Sequence, residues 1–309
     1  MKKRRFYNGE VNHIYQRTLS GFNIFYEIED YLVYYTIFSM MALKYKVIVY
    51  GLCLMIDHIH SLCAFESKPS FAKFMSHITN IFVREYNQAH NRVGPLFSGR
   101  FGSAPKSGLK LLRTSVAYLN NNPVERHLCK YAQEYRWNFL AYCRSACPFS
   151  DLLVVRNASF ALKRAIAEVD GSRARGVYIT YAMIRRLLSS LDNREKNQLV
   201  DYIIKTYSVI RYDLLTTVCY DGYENMLTAI NSNAGSEYDI TEYRCGRSDN
   251  EYLDLYRFAE SRGYYPASSV ISLDIDSKMS LYNSMLRNTR ARTYQISKFL
   301  HLTMPPHDK

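Results

Sequence analysis

Residues 46–65, KVIVYGLCLMIDHIHSLCAF, decide the fold. From Lys46 to Met55 the run is β-branched and apolar on both faces, as in a covered central strand. Ile56 and Asp57 read as a tight turn, and a second strand runs from His58 to about Phe65. That strand carries two imidazoles one residue apart. Side chains alternate across a strand, so His58 and His60 face the same way, with Cα atoms about 7 Å apart at roughly 3.3 Å per residue. Two imidazoles at that spacing can converge on one metal ion. Two histidines on a sheet surface that hold nothing is the plainer alternative.

The elements on either side are read outward from this hairpin. Residues 11–19, VNHIYQRTL, read as a strand. Residues 29–43, EDYLVYYTIFSMMAL, read as a helix with Leu32, Tyr35, Ser39 and Ala42 on one stripe. Pro69 and Ser70 open a second helix, in which Phe71, Phe74, Met75, Ile78, Phe82 and Tyr86 fall at helical spacing. It stops near the Gly94-Pro95 pair. The glycine-rich stretch 94–108, GPLFSGRFGSAPKSG, holds a short strand. A third helix follows from Leu109 to about Asn121 and is expected to stop before Pro123. The order β-α-β-β-α-β-α implies an α+β fold, a ferredoxin-like or split βαβ antiparallel sheet with helices packed on it.

A boundary is expected near Cys147-Pro148, dividing the chain into 1–148 and 149–309. The second part reads as mostly α-helical, with AMIRRLLSSL (182–191) and NQLVDYIIKTYSVI (197–210), then a polar stretch at 231–250. ARTYQISKFLHL (291–302) looks like the first half of a helix-turn-helix, a partial motif over 287–302, or else a plain amphipathic helix.

The net charge of +12 is unevenly placed: residues 1–150 hold 19 Lys and Arg against 9 Asp and Glu, residues 151–309 hold 21 against 19. A basic first half attracts polyanions, nucleic acid first among them, although a high pI alone is common. No apolar run reaches the roughly 20 residues that span a bilayer, so no membrane is expected as a partner. The basic MKKRRFYNGE start has no apolar core after it, and the seven cysteines are odd in number and scattered. Both fit a cytoplasmic protein with reduced thiols.

In the third helix Tyr118 and Asn122 are four residues apart and share a face. A tyrosine is a candidate nucleophile and an amide oxygen a candidate ligand for a hard cation. Among 28 tyrosines, however, an ordinary core or groove residue is the commoner case.

Five segments then stand in order: VNHIYQRTLSGFNIFYEIEDYL (11–32), YGLCLMIDHIHSL (50–62), GPLFSGRFGS (94–103), AYLNNNPVERHL (117–128) and EYRWNFLAY (134–142). Together they resemble the single-tyrosine HUH transposases, especially the REP-associated tyrosine transposase group with its IS200-like domain. The likeness covers about residues 9 to 145. Two departures stand out. Ile56-Asp57 replaces the usual Pro-Asn, adding a negative charge beside the first histidine. Asn120-Asn121 replaces a frequent His-Leu, putting polar groups where core packing is common.

The resemblance implies an HUH endonuclease core that cleaves and rejoins single-stranded, hairpin-flanked DNA. His58, His60 and Asn122 would hold Mg2+ or Mn2+, and Tyr118 would attack the scissile phosphate to give a 5′-phosphotyrosine and a free 3′-hydroxyl. A homodimer is one assembly such a protein adopts. The chemistry needs help, because ionising a phenol of pKa near 10 at pH 7 costs about 4 kcal/mol, and a cation offsets charge building on the phosphate. Arg100, Lys106 and Arg113 are candidate DNA phosphate contacts from charge and position, with solvated surface charges the alternative. Lys2 to Arg5 form a basic arm. Two rivals remain at this point: a domesticated, non-catalytic protein that recognises hairpin or repeat DNA, and an unrelated metal-dependent phosphodiesterase.

Overall fold

The structure, a computed structural model, describes residues 6–232 and 248–303. The basic arm and most of the polar stretch at 231–250 lie outside those residues. The first half runs β1 (Val11–Arg17), α1 (Ile28–Lys44), β2 (Ile48–Met55), β3 (His58–Ala64), α2 (Lys68–Ala89), β4 (Gly102–Lys106) and α3 (Leu109–Glu125), in the expected order. The sheet order is β2-β3-β1-β4, and every neighbouring pair is antiparallel. This is the ferredoxin-like arrangement, with β3 inserted between β1 and β2.

Alternation divides the sheet into two working faces. Ile14, Leu52, Leu54, Ile59 and Cys63 face one core with α1 and α2. The six residues expected on the inner stripe of α2 are the six it buries, and Ser67 caps the helix by accepting from Ser70 N. The other face, with Val11, Cys53, Met55, Leu62 and Ala64, packs on Leu112, Val116 and Leu119 of α3. Each fully buried Leu or Val contributes about 1.5–3 kcal/mol. The two histidines belong to this second face, so α3 is laid over them.

Two local expectations are corrected. Helix α1 is buried almost all round, not along one stripe. Helices α4 (Phe160–Ala174), α5 (Tyr181–Ser189) and α6 (Asn193–Thr206) share one hydrophobic core with it. Tyr35 Oη donates to Ile204 O at 2.8 Å, and Thr36 Oγ1 accepts from Ile179 N at 3.1 Å. Helix α3 runs through Pro123 to Glu125. So near the C-terminal end the missing N–H removes only one bond of the ladder, and Pro123 O still accepts from Leu128 N at 2.9 Å.

The rest of the second half is α7 (Tyr223–Ser232), α8 (Asn250–Ser261), α9 (Ile275–Asn288) and α10 (Thr293–Phe299). Residues 287–302 therefore form the end of α9 and the short α10. Ile56 of the β2–β3 turn is buried in the core that α8 and α10 build, among Tyr252, Leu255, Phe299 and Leu300. At the open edge of β2, Arg211 N donates to Val49 O at 2.8 Å, covering part of an edge that would otherwise present unpaired backbone.

Candidate active site

Register places the histidines. In β1–β3 pairing His60 lies opposite Tyr15, His58 opposite Arg17 and Leu62 opposite His13. His13, Tyr15, His58 and His60 thus share one face, with His13 and His60 on a diagonal within reach of each other. Their rings stack 5.1 Å apart at 13°, and His13 Nε2 meets His60 Nδ1 at 3.0 Å. The His58 ring stands perpendicular to His60, centroids 4.9 Å apart. Tyr118 of α3 sits edge-on to both stacked rings, 5.6 Å from His13 and 5.7 Å from His60. Asn122 follows one turn later and is also buried. The phenol ring and the imidazoles, distant in sequence, pack against one another. Gly102 opposite Tyr15 is needed for this packing, since a Cβ there would lie 2.0 Å from the Tyr15 ring.

Orientation comes from neighbours. Asp57 Oδ1 lies 2.5 Å from His58 Nδ1 and Lys298 Nζ lies 3.3 Å from Asp57 Oδ2. Thr18 pins the turn, giving both its N–H and its hydroxyl to Asp57 O. Burial works to raise the Asp57 carboxyl, but His58, Lys298 and Arg126 outweigh it and hold the group well below the usual carboxylate range. Burial, with help from the charges of His58, Arg17 and Arg126, pushes the His60 imidazole well below its ordinary value. Neutral imidazole is the form that ligates a cation. Asn122 Nδ2 donates to Tyr118 O at 2.8 Å, which directs the amide oxygen away from its own helix.

This donor set fits a divalent cation. With Nδ1 of His58 engaged by Asp57 and Nδ1 of His60 by His13, Nε2 of each would be the atom offered to an ion, and Asn122 Oδ1 would be a third. Carboxylate support behind a ligating histidine is the usual outer-shell device. A second group, Glu27, Asp30 and His90, brings three potential ligand atoms within 4.8 Å of one another. There, however, Asp30 Oδ2 accepts from Tyr26 N and Glu27 N, and Oδ1 meets His90 Nε2 and Tyr181 Oη. Asp30 closes the N-terminus of α1, and its oxygens are already engaged.

Residues 13–122 match the family of IS200-like transposases. The matched IS200-like region begins at His13 and ends at Asn122, enclosing His13, His58, His60, Tyr118 and Asn122. No curated protein matches the chain. Among solved structures, a REP-associated tyrosine transposase bound to a REP hairpin is similar at 16% identity, over 44% of this chain and 81% of that one, with a TM-score of 0.39. No described helix is long and apolar enough to cross a membrane, and the six described cysteines are free.

The other sequence candidates lie outside the cluster of rings. Lys106 pairs with Val11, six positions along β1 from the residue opposite His58, about 20 Å at 3.3 Å per residue. Arg100 is exposed just before β4, at the His58 end of the sheet. Arg113 lies on α3, where Nε donates to Cys219 O. Sequence reasoning missed His13. Its only signal was a histidine at an inward strand position, and its partner lies 47 residues away. Lys298, 241 residues from Asp57, gave no local signal at all.

Proposed function

We propose that the IS200-like region is a metal-dependent DNA strand transferase in which Tyr118 is the nucleophile and His58, His60 and Asn122 are the ligands of Mg2+ or Mn2+. The observation that carries this reading is the edge-on meeting of Tyr118 with the stacked His13–His60 pair. A structural tyrosine has no need of two imidazoles at its rim.

A bound divalent ion would polarise the scissile phosphate and offset charge on its oxygens. Tyr118 Oη forms the new bond to phosphorus while the bond to the 3′-oxygen breaks. The phenol gives up its proton, and the departing oxygen ends as a 3′-hydroxyl. The 5′-phosphotyrosine keeps a phosphodiester in place, so a second 3′-hydroxyl can reverse the step and join strands. Asp57 holds the His58 ring, and Arg17 and Arg126 supply positive potential for a polyanion. The substrate is single-stranded DNA beside a hairpin. Residues 149–309 act as a helical accessory region in the same cytoplasmic protein.

The test is a denaturing gel of protein incubated with single-stranded oligonucleotides. Wild type with Mg2+ or Mn2+ should form a covalent adduct, and Tyr118→Phe or chelation should abolish it. An adduct that survives Tyr118→Phe removes the nucleophile. Hairpin binding with no adduct from any variant would favour a binding-only protein, and cleavage without an adduct a phosphodiesterase.

A further inference from the structure

A cleft of about 400 Å3 opens along α3 beside the nucleophile, lined by Lys110, Arg113, Thr114, Ala117, Tyr220 and Ala229. The first four recur at three- and four-residue steps and form one helical stripe. Tyr118 follows Ala117 directly, one step of about 100° around the helix. The opposite wall belongs to the second half of the chain. Tyr220 follows the π-helical turn Leu214–Cys219, and Ala229 lies on α7.

The two walls are fastened together. Arg113 Nε donates to Cys219 O, Tyr220 Oη donates to Arg113 O at 2.9 Å, and Asn121 Nδ2 donates to Ile230 O at 2.7 Å. The cleft is therefore preformed. The Arg113 guanidinium lies 5.8 Å from the Tyr220 ring centroid, and Lys110 is exposed at the mouth. Among the described residues, no carboxylate lines it. Two cations, an aromatic ring and a hydroxyl in a space of this size suit one phosphorylated base, since small-ligand sites begin at about 300 Å3. Tyr220 is largely buried, and the part of it that lines the cleft is the aromatic contact that, with a basic groove, holds single strands. The helical rise puts Arg113 about 7.5 Å and Lys110 about 12 Å along the axis from Tyr118, within reach of nucleotides neighbouring a phosphate at the phenol.

We propose that this cleft is a subsite for one nucleotide of single-stranded DNA flanking the scissile phosphate, with Lys110 and Arg113 on phosphate and Tyr220 against the base. The inference rests on the strand-transferase reading and adds that the second half completes the DNA site. It is tested by fluorescence anisotropy of a labelled single-stranded oligonucleotide across a salt series, in a Tyr118→Phe background so that no cleavage intervenes. Lys110→Gln should weaken binding several-fold and reduce the slope of log affinity against log salt by about 0.7, and Arg113→Gln added to it should roughly double that reduction. Tyr220→Leu should lose about five-fold or more in affinity, while Tyr220→Phe stays within about two-fold. Thermal melts by circular dichroism check each fold, and if Tyr220→Leu unfolds, the lysine decides. An unchanged affinity and salt slope for Lys110→Gln overturns the subsite, as does an equal loss on duplex DNA. If no adduct forms in the wild type yet Lys110→Gln shows the loss, the cleft still holds a single strand while strand transfer, and with it the place beside a scissile phosphate, falls. If the adduct forms and Lys110→Gln is silent, only the subsite falls.

Discussion

Two clusters of imidazole and acid sit in the first half of this chain, and they do opposite things with the same groups. Around Asp30, an acid and a histidine are sealed below the surface, their side chains 0% and 2% exposed. Each Asp30 oxygen meets backbone N–H groups just before α1, or a ring nitrogen and a phenol. Around His60, Asp57 stands behind His58, His13 stands behind His60, and Tyr118 meets the His13 and His60 rings edge-on. The lesson is that a tight knot of potential ligands is not by itself a site. What distinguishes the second cluster is that its hydrogen bonds orient the imidazoles from behind.

That contrast can be broken by substitution. Asp30→Ala should cost about 3–5 kcal/mol in urea unfolding, because it strands a buried His90 and two backbone donors, while His58→Ala, which leaves Asp57 its Lys298 partner, should cost less, about 1–2 kcal/mol. Equal costs would erase the distinction. Next in size, Asp57→Asn should weaken Mn2+ binding about ten- to a hundred-fold by calorimetry, and no change would mean that His58 is oriented without its neighbour. The smallest effect concerns pH. Burial, reinforced by the nearby Asp30 charge, raises the Glu27 carboxyl from 4.5 to about 7. The folded state then holds a proton that the unfolded chain releases, so stability should fall as pH rises from about 4.5 to 7, by on the order of 1 kcal/mol given partial exposure. Glu27→Gln should flatten that slope in pH-dependent melts.

What was legible in the sequence was local. The β2–β3 hairpin, the buried stripe of α2 and the element order all follow from periodicities within a few residues. So do the i,i+2 histidines and the i,i+4 Tyr118–Asn122 pair. What was hidden depends on distant chain. The all-round burial of α1 needs helices more than a hundred residues later. His13 joins the site only through β1–β3 register. The two departures from the family pattern both carry an attachment to distant chain. Asn121 Nδ2 donates to Ile230 O, while Asn120 Nδ2 turns back to Val116 O of its own helix. Ile56 enters the core of α8 and α10, and Asp57 meets Lys298.

The lysine contact at Asp57 carries a thermodynamic obligation. Lys298 also closes on Gly21, where a Cβ would lie 2.8 Å from Nζ, so the last helix is clasped to the same turn that steadies His58. Linkage is reciprocal: whatever occupies the histidine pair and draws on the Asp57 charge must alter the grip on α10. Proteolytic clipping near the far end of the polypeptide then becomes a gauge of occupancy at its front.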